Sequence, residues 1–208
     1  WIPGVYCNLP QFECFYYYPR FGNYLLNANY AMLPFGELNR RKDWLFNAVG
    51  EDGYLFLRPS TGFKIFTGKV VSLLTWEKDI DLVGFYDVAD EALVVAATPV
   101  ELKREWRTVV VGDRIVAASQ YKNGNDMTRI QGAPEEILSY GQEVLNNVKY
   151  RPDPAWTLDI CETGSGELKI IEVGSFSCCG LYACDPEPII HAVNEVALLD
   201  WNEIKNED

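Results

Sequence analysis

Histidine is almost missing from this 208-residue chain; His191 is the only one. A Ser-His-Asp or Cys-His nucleophilic mechanism would have to run through it. It sits in Pro188-Ile-Ile-His-Ala-Val-Asn-Glu-Val-Ala-Leu-Leu, whose apolar spacing is that of an amphipathic helix, so it reads as a helix-surface residue. No apolar run reaches the roughly 18 residues that a membrane-spanning helix needs. The opening residues do not read as a secretory leader. Neither the Gly-x-x-x-x-Gly-Lys-Ser/Thr phosphate loop nor the dinucleotide fingerprint is present. Internal repeats and low-complexity tracts are also lacking.

Positive charge is scarce: 18 Lys and Arg stand against 30 Asp and Glu, for a net charge of −12. Such a surface argues against nonspecific binding to nucleic acid or to anionic membranes. It leaves ATP open, because Mg²⁺ and a few local cations suffice for a triphosphate. The six cysteines, Cys7, Cys14, Cys161, Cys178, Cys179 and Cys184, lack the paired Cys-x-x-Cys or Cys/His spacing of a zinc site. In a chain of this length they read as reduced thiols of a cytoplasmic protein. The first residues are Trp1-Ile-Pro-Gly without an initiator Met, as expected of a processed chain or of a piece of a longer one.

Hydrophobic residues make up 48% and charged residues 23% of the chain, an ordinary globular balance. Residues 1–30 are rich in aromatics and read as irregular, with one short helix near Tyr24 to Asn27. Phe35 to Val49 reads as a helix, Tyr54 to Pro59 as a strand, and Ser60 to Lys69 as a glycine-containing loop. Thr75 to Val83 is a weaker helix and Leu93 to Ala97 a short strand. Glu105 to Val111 and Arg114 to Tyr121 form a hairpin across Gly112-Asp113. Pro134 to Val148 reads as a helix opened by proline. Trp156 to Cys161 and Leu168 to Val173 form a second hairpin, and a closing helix over Pro186 to Trp201 precedes a polar tail expected to fray. Hairpins interleaved with packing helices predict an α+β fold.

Two acids stand inside apolar β runs: Asp159 in Leu158-Asp-Ile and Glu172 in Ile170-Ile-Glu-Val. An unpaired carboxylate there is costly. Either Mg²⁺ binds both acids, sharing a face of adjacent strands, or they are edge acids facing water or a cation. Arg58 ends a strand and Lys64 lies in the following loop, a setting for phosphate contact and equally for a solvated turn. Glu105 and Arg107 share a strand face. They make an ion pair, or they line a cleft with Arg107 aimed at a phosphoryl group.

Taken together, these segments resemble the ATP-grasp superfamily over residues 54–182. The hairpin of Glu105-Trp-Arg through Ser119, followed by Leu158-Asp-Ile and Gly166-Glu-Leu-Lys-Ile-Ile-Glu-Val, is similar to the acid-x-Arg strand and Asp…Glu-x-Asn ending of the ribosomal-protein glutamate ligase and its relatives. Trp1-Ile-Pro-Gly-Val-Tyr, Leu25-Leu-Asn-Ala and Leu57-Arg-Pro-Ser-Thr-Gly-Phe-Lys-Ile-Phe-Thr-Gly look like the phage- and bacteria-associated branch named for two arginines and a lysine.

That resemblance implies an ATP-grasp fold of two α+β subdomains, with an α/β domain expected upstream of Trp1. It implies an N-terminal segment over 1–50, a first subdomain over 51–97 and a second, with the metal-binding hairpin, over 98–208. It implies that Arg58 and Lys64 contact ATP phosphates, with Lys64 also catalytic, and that Val95 and Ala97, in the 94–99 segment, lie beside adenine with Glu105 nearby. Arg107 would stabilise the transferring phosphate, and Asp159 and Glu172 would hold Mg²⁺. The implied reaction joins a carboxylate to an amine through an acyl-phosphate, with amino acids, peptides or proteins as substrates, in a bacterial or phage-infected cytoplasm. Gly174 stands where the family usually has Asn, with Ser175 or a water as the expected replacement ligand. The alternative is a nucleotide- or protein-binding module without ligase activity. Arg107 is expected at a strand end, outside the core, so that Arg107→Ala stops turnover and spares the fold.

Overall fold

The computed structural model describes residues 5–63, 65–85 and 87–207, with residues 206 and 207 described by backbone alone. It divides into two compact units, residues 13–100 and residues 1–12 with 101–208. Among the described residues each unit is built on one antiparallel sheet, so the α+β class expected from the hairpin–helix pattern is what forms.

In the 13–100 unit the strands are β1 (Tyr30–Pro34), β2 (Tyr54–Pro59), β3 (Lys69–Ser72) and β4 (Leu93–Ala97), in spatial order β1-β4-β2-β3. Helices α1 (Cys14–Phe21), α2 (Leu38–Val49) and α3 (Trp76–Gly84) complete it. Leu55 and Leu57 of β2, Val71 of β3, and Val94 and Ala96 of β4 share a core with Leu38, Leu45 and Val49 of α2 and with Trp76, Ile80 and Val83 of α3. The helical members fall at the three- and four-residue intervals of one stripe, and the strand members at alternate positions. The indole of Trp76 donates to Asn39 Oδ1 at 2.8 Å and ties α3 to α2. Gly68 is needed for close approach, because a Cβ there would stand 2.9 Å from the Phe56 ring.

Three local expectations fail here. The α-helix of the aromatic-rich start lies at Cys14–Phe21, and only a single 3-10 turn, Gly22–Tyr24, reaches the expected span of Tyr24 to Asn27. Cys14, Tyr17, Tyr18 and Phe21 are its buried positions, a helical stripe at i, i+3, i+4 and i+7 that the aromatics flanking it disguise. Both β1 and β3 also went unrecognised. Each is short and neither alternates cleanly in exposure.

The other unit has the strands β5 (Leu102–Val111), β6 (Arg114–Asn123), β7 (Asp126–Gln131), β8 (Ala155–Thr163) and β9 (Leu168–Ser175), ordered β7-β6-β5-β8-β9. Both expected hairpins form, and β8 lies between β5 and β9. Almost all of β8 is buried, as befits an interior strand covered on both faces. On one face α4 (Glu135–Asn147) packs at Gly141, where a Cβ would meet the ends of Ile115 and Ile160. On the other, α5 (Pro186–Glu207) sets Ile189 and Ala192 against Val109, Val111 and Ala155. Strand β7 is almost wholly exposed and polar at the sheet edge, so it shows no apolar alternation from which to read it. Helix α5 continues through Glu207, six residues beyond the expected end at Trp201.

Leu57→Ala removes a fully buried side chain from the first core. The expected cost is about 2–5 kcal/mol, read as a lower urea midpoint with unchanged slope. A loss below about 0.5 kcal/mol would contradict the packing described.

Candidate functional site

Strand pairing fixes a row of chemistry-bearing residues on the second sheet. Arg107 of β5 faces Asp159 of β8 directly, and Asp159 faces Glu172 of β9. Directly paired residues point to the same face. Arg107, Asp159 and Glu172 therefore lie side by side. The register nearer the turn, with Ile160 opposite Ile170, would put Ile171 opposite Asp159; a β-bulge between Asp159 and Ile160 brings Glu172 there instead.

Arg107 does not sit at a strand end, and this corrects the expectation for it. It occupies the middle of β5 with 13% of its side chain exposed, beside an Asp159 side chain with 4% exposed. The pairing is two-pronged: Nε donates to Asp159 Oδ1 at 2.9 Å and Nη2 to Oδ2 at 2.7 Å. Nη1 donates to the Gly180 carbonyl at 2.8 Å. The guanidinium thus spends its planar fork on one carboxylate and one backbone oxygen. Burial pushes the Asp159 carboxyl up, while the two bonds from Arg107 oppose that shift. Arg107 is itself held more firmly protonated, since those bonds outweigh its own desolvation.

Glu105 is not the ion-pair partner of Arg107. Its Oε2 accepts from the Tyr121 hydroxyl at 2.7 Å, and its Oε1 is 2.9 Å from Lys122 Nζ, an ionic contact without a directed hydrogen bond. Burial pushes the Tyr121 phenol up, reinforced by the charges of Asp159 and Glu105. Tyr121 stacks on Tyr182, with ring centres 4.8 Å apart and planes 10° apart. The Tyr182 ring in turn lies 5.1 Å from the Arg107 guanidinium carbon, within cation–π range. Tyr182 holds a left-handed backbone with φ of 52°, unusual for a bulky residue. Segment 179–184 therefore forms a cover on Arg107: Gly180 supplies a carbonyl, Tyr182 a ring, and the Ala183 amide donates to Ser119 Oγ at 3.2 Å. Sequence reasoning missed this cover. Its one local signal is Gly180 two positions before an aromatic residue.

The two acids fit a Mg²⁺ ion by donor chemistry. Mg²⁺ takes hard oxygens and is commonly held by one or two carboxylates plus the phosphates of its substrate. Among the described residues, no group of three or more His, Cys, Asp or Glu side chains is placed to hold a metal on protein donors alone. Gly174 takes no part as a side chain: a Cβ there would stand 2.6 Å from Thr157 Oγ1, its cross-strand neighbour. The hydroxyl of Ser175, expected as a substitute ligand, donates instead to the Tyr6 carbonyl at 2.8 Å.

In the first unit, Arg58 is half-buried on β2 and pairs across to Val95 of β4. It alternates away from Leu55 and Leu57, so it faces opposite to the α2–α3 core. Val95 and Ala97 have no exposed surface, whereas Thr98 and Pro99 just beyond them are half-exposed. Lys64 lies outside the described residues. A groove of about 510 Å³ between β6 and α4, lined by Ile115, Leu138, Gln142 and Glu143, contains none of the candidate residues.

Sequence comparison matches residues 28–193 to an ATP-grasp domain, family 3 of the clade named for two arginines and a lysine. No curated protein sequence matches the chain. Among solved structures it is similar to the ATP-grasp ligase PsnB complexed with minimal precursor, at 14% identity and a TM-score of 0.56, covering 89% of this chain and 60% of that one. It is also similar to the D-cycloserine synthetase DcsG, at 12% identity and a TM-score of 0.62, covering 87% and 68%. D-alanyl-alanine synthetase A from Vibrio cholerae aligns at 14% identity and a TM-score of 0.59, covering 90% and 62%. These likenesses show a shared ATP-grasp fold. No helix among the described residues is long and apolar enough to cross a membrane.

Arg107→Ala leaves the Asp159 charge buried without its partner, and the expected cost is about 3–5 kcal/mol at neutral pH. In the variant the folded-state pKa of Asp159 lies still further above its unfolded value. Between those values the folded chain holds a proton that the unfolded chain lacks, so stability rises as pH falls. Urea unfolding of both proteins at about pH 7.5 and about pH 5 should give the smaller difference at the lower pH. Equal differences would show that Asp159 is not the group left unpaired. Gly174→Asn should cost about 1–3 kcal/mol by crowding Thr157, and Thr157→Ala in the same chain should recover most of it. Additive losses would contradict the contact.

Proposed function

Since the chain belongs to family 3 of the two-arginine, one-lysine clade of ATP-grasp domains, we propose that it is an ATP-dependent carboxylate–amine ligase working through an acyl-phosphate. The observation that supports this reading most is the row Arg107–Asp159–Glu172, one cation and two acids at directly paired positions of adjacent strands. PsnB, similar to this chain in fold, has been solved with Mg and ADP.

In this proposal Asp159 and Glu172 hold Mg²⁺ together with phosphate oxygens of ATP. Held there, the ion would neutralise triphosphate charge and so ease displacement at the γ-phosphorus. Arg107 gives up Asp159 and turns its fork to the transferring phosphoryl group, a planar donor set for which the guanidinium is well shaped. Arg58 and Lys64 contact the phosphates. The segment from Val94 to Pro99, with Val95 and Ala97, flanks adenine, and Glu105, bonded to Tyr121 and beside Lys122, contributes to nucleotide binding. A substrate carboxylate oxygen forms a bond to the γ-phosphorus as the bond to ADP breaks. The amine nitrogen then forms the amide bond as phosphate leaves, and the amine loses a proton. Positioning and charge neutralisation supply the catalysis, so neither histidine nor a cysteine nucleophile is required. The carboxylate and the amine are carried by amino acids, peptides or proteins.

A second reading, a nucleotide-binding module without ligase activity, is favoured by one observation. Thr157 occupies the space that a side chain at position 174 would need, so the two carboxylates lack a third ligating side chain at that position of β9.

At Mg·ATP about a hundredfold above Kd, the expected rise in Tm is roughly 5–10 °C. Glu172→Gln should keep the ligand-free Tm within about 2 °C and lose most of the Mg-dependent part of the rise. A wild-type Tm indifferent to Mg·ATP would contradict both readings. Phosphate release on adding amino acids or peptides supports the ligase; binding without release with any of them supports the module.

A further inference from the structure

Two cysteines far apart in sequence meet at the surface of the second unit. Cys7 Sγ and Cys178 Sγ are 3.1 Å apart, as free thiols. Cys178 is exposed and Cys7 half-exposed, whereas Cys14, Cys161 and Cys184 are buried. The half-exposed Cys179 directs its thiol to the Phe176 carbonyl at 3.1 Å.

The residues flanking this pair are fixed. Before Cys7, the Tyr6 amide donates to Ser177 Oγ at 2.9 Å, its carbonyl accepts from Ser175 Oγ at 2.8 Å, and its hydroxyl donates to Asp200 at 2.7 Å. After Cys7, the Asn8 amide donates to Asp153 at 2.9 Å. Ser177, next to Cys178, also donates its amide to the Tyr6 carbonyl at 3.3 Å. The two thiols are thus held together by a bonded frame. A disulfide requires the sulfurs to close to about 2.05 Å, a movement of roughly 1 Å. Among the described residues no third ligand completes a metal site around them.

We propose that Cys7 and Cys178 form a reversible disulfide, a redox staple between the N-terminal segment and the turn after β9. The turn it fixes leads directly into the 179–184 cover on Arg107. With a small-molecule disulfide such as oxidised glutathione as oxidant, one thiolate attacks and releases the first glutathione thiolate. The other protein thiolate then attacks the mixed disulfide and releases the second. Two cysteine thiols are oxidised, one glutathione disulfide is reduced to two thiols, and the two protons pass to the released glutathione. Because the partner thiol is already in place, the second step outruns further reaction with glutathione.

The experiment is treatment of the folded chain with oxidised glutathione, followed by non-reducing peptide mapping and thermal melting. The expected product is a Cys7–Cys178 cross-linked peptide, a mass lower by two hydrogens, and a Tm higher by roughly 5–10 °C that dithiothreitol reverses. Cys7→Ser and Cys178→Ser should each keep the reduced wild-type Tm, accumulate a glutathione adduct on the remaining thiol, and show no rise. A stable adduct on the wild-type chain, a link to Cys179 instead, or no reaction at Cys7 and Cys178 would overturn the proposal.

Discussion

The pairing of Arg107 with Asp159 is the interaction around which the second sheet is arranged. Asp159 belongs to an interior strand, where a bare carboxylate would be strongly disfavoured. The guanidinium opposite meets both of its oxygens and passes its third arm to Gly180. That third bond explains why segment 179–184 lies where it does. Tyr182 accepts a left-handed backbone to set its ring on Arg107, and Tyr121 stacks beneath it while serving Glu105. One buried charge thus recruits a fork, a carbonyl, two rings and a second acid–base pair.

The same interaction links structure to the proposed chemistry. A buried ion pair contributes little net stability relative to apolar packing, yet is costly to break on one side. Such a pair stays closed until another charge compensates each partner. A divalent cation at Asp159 and a phosphoryl group at Arg107 would compensate both together, and Glu172 stands at the adjoining register position to share the cation. On the proposed chemistry, the pair would be a resting state that opens only when metal and phosphate are present together.

Legibility in the sequence followed the range of the interactions. The hairpins of β5–β6 and β8–β9 were readable because alternation and a Gly-Asp or Gly-Ser-Gly turn are local signals. That Asp159 and Glu172 could share a face was readable only as a possibility, because the turn alone pairs Asp159 with Ile171 and a β-bulge at Asp159–Ile160 shifts Glu172 into place. The partner of Arg107 was not readable: Glu105 is two residues away on the same strand face, whereas Asp159 is 52 residues away and reaches it only through β5–β8 pairing. Helix α1 was hidden because aromatics occupy exposed as well as buried positions, as Phe15 beside Tyr17 shows. Strand β7 was hidden because an exposed edge strand carries no apolar face. The roles of Arg58, Val95, Ala97 and Lys64 came from resemblance to the family and stand as proposals.

Gly174 illustrates a site residue whose meaning changes once its neighbour is known. Alone, it is a missing ligand. Beside Thr157 it is a position where the sheet leaves no room for one, so the two residues constitute a single choice. The proposed chemistry as a whole turns on Arg107 exchanging Asp159 for phosphate. The most direct measurement follows the Arg107 Nε–H resonance in arginine-labelled protein during titration with Mg·ATP. The exchange predicts a hydrogen-bonded, slowly exchanging signal without ligand that moves to a new position only when metal and nucleotide are both present. A signal that stays unchanged at saturating Mg·ATP would contradict it.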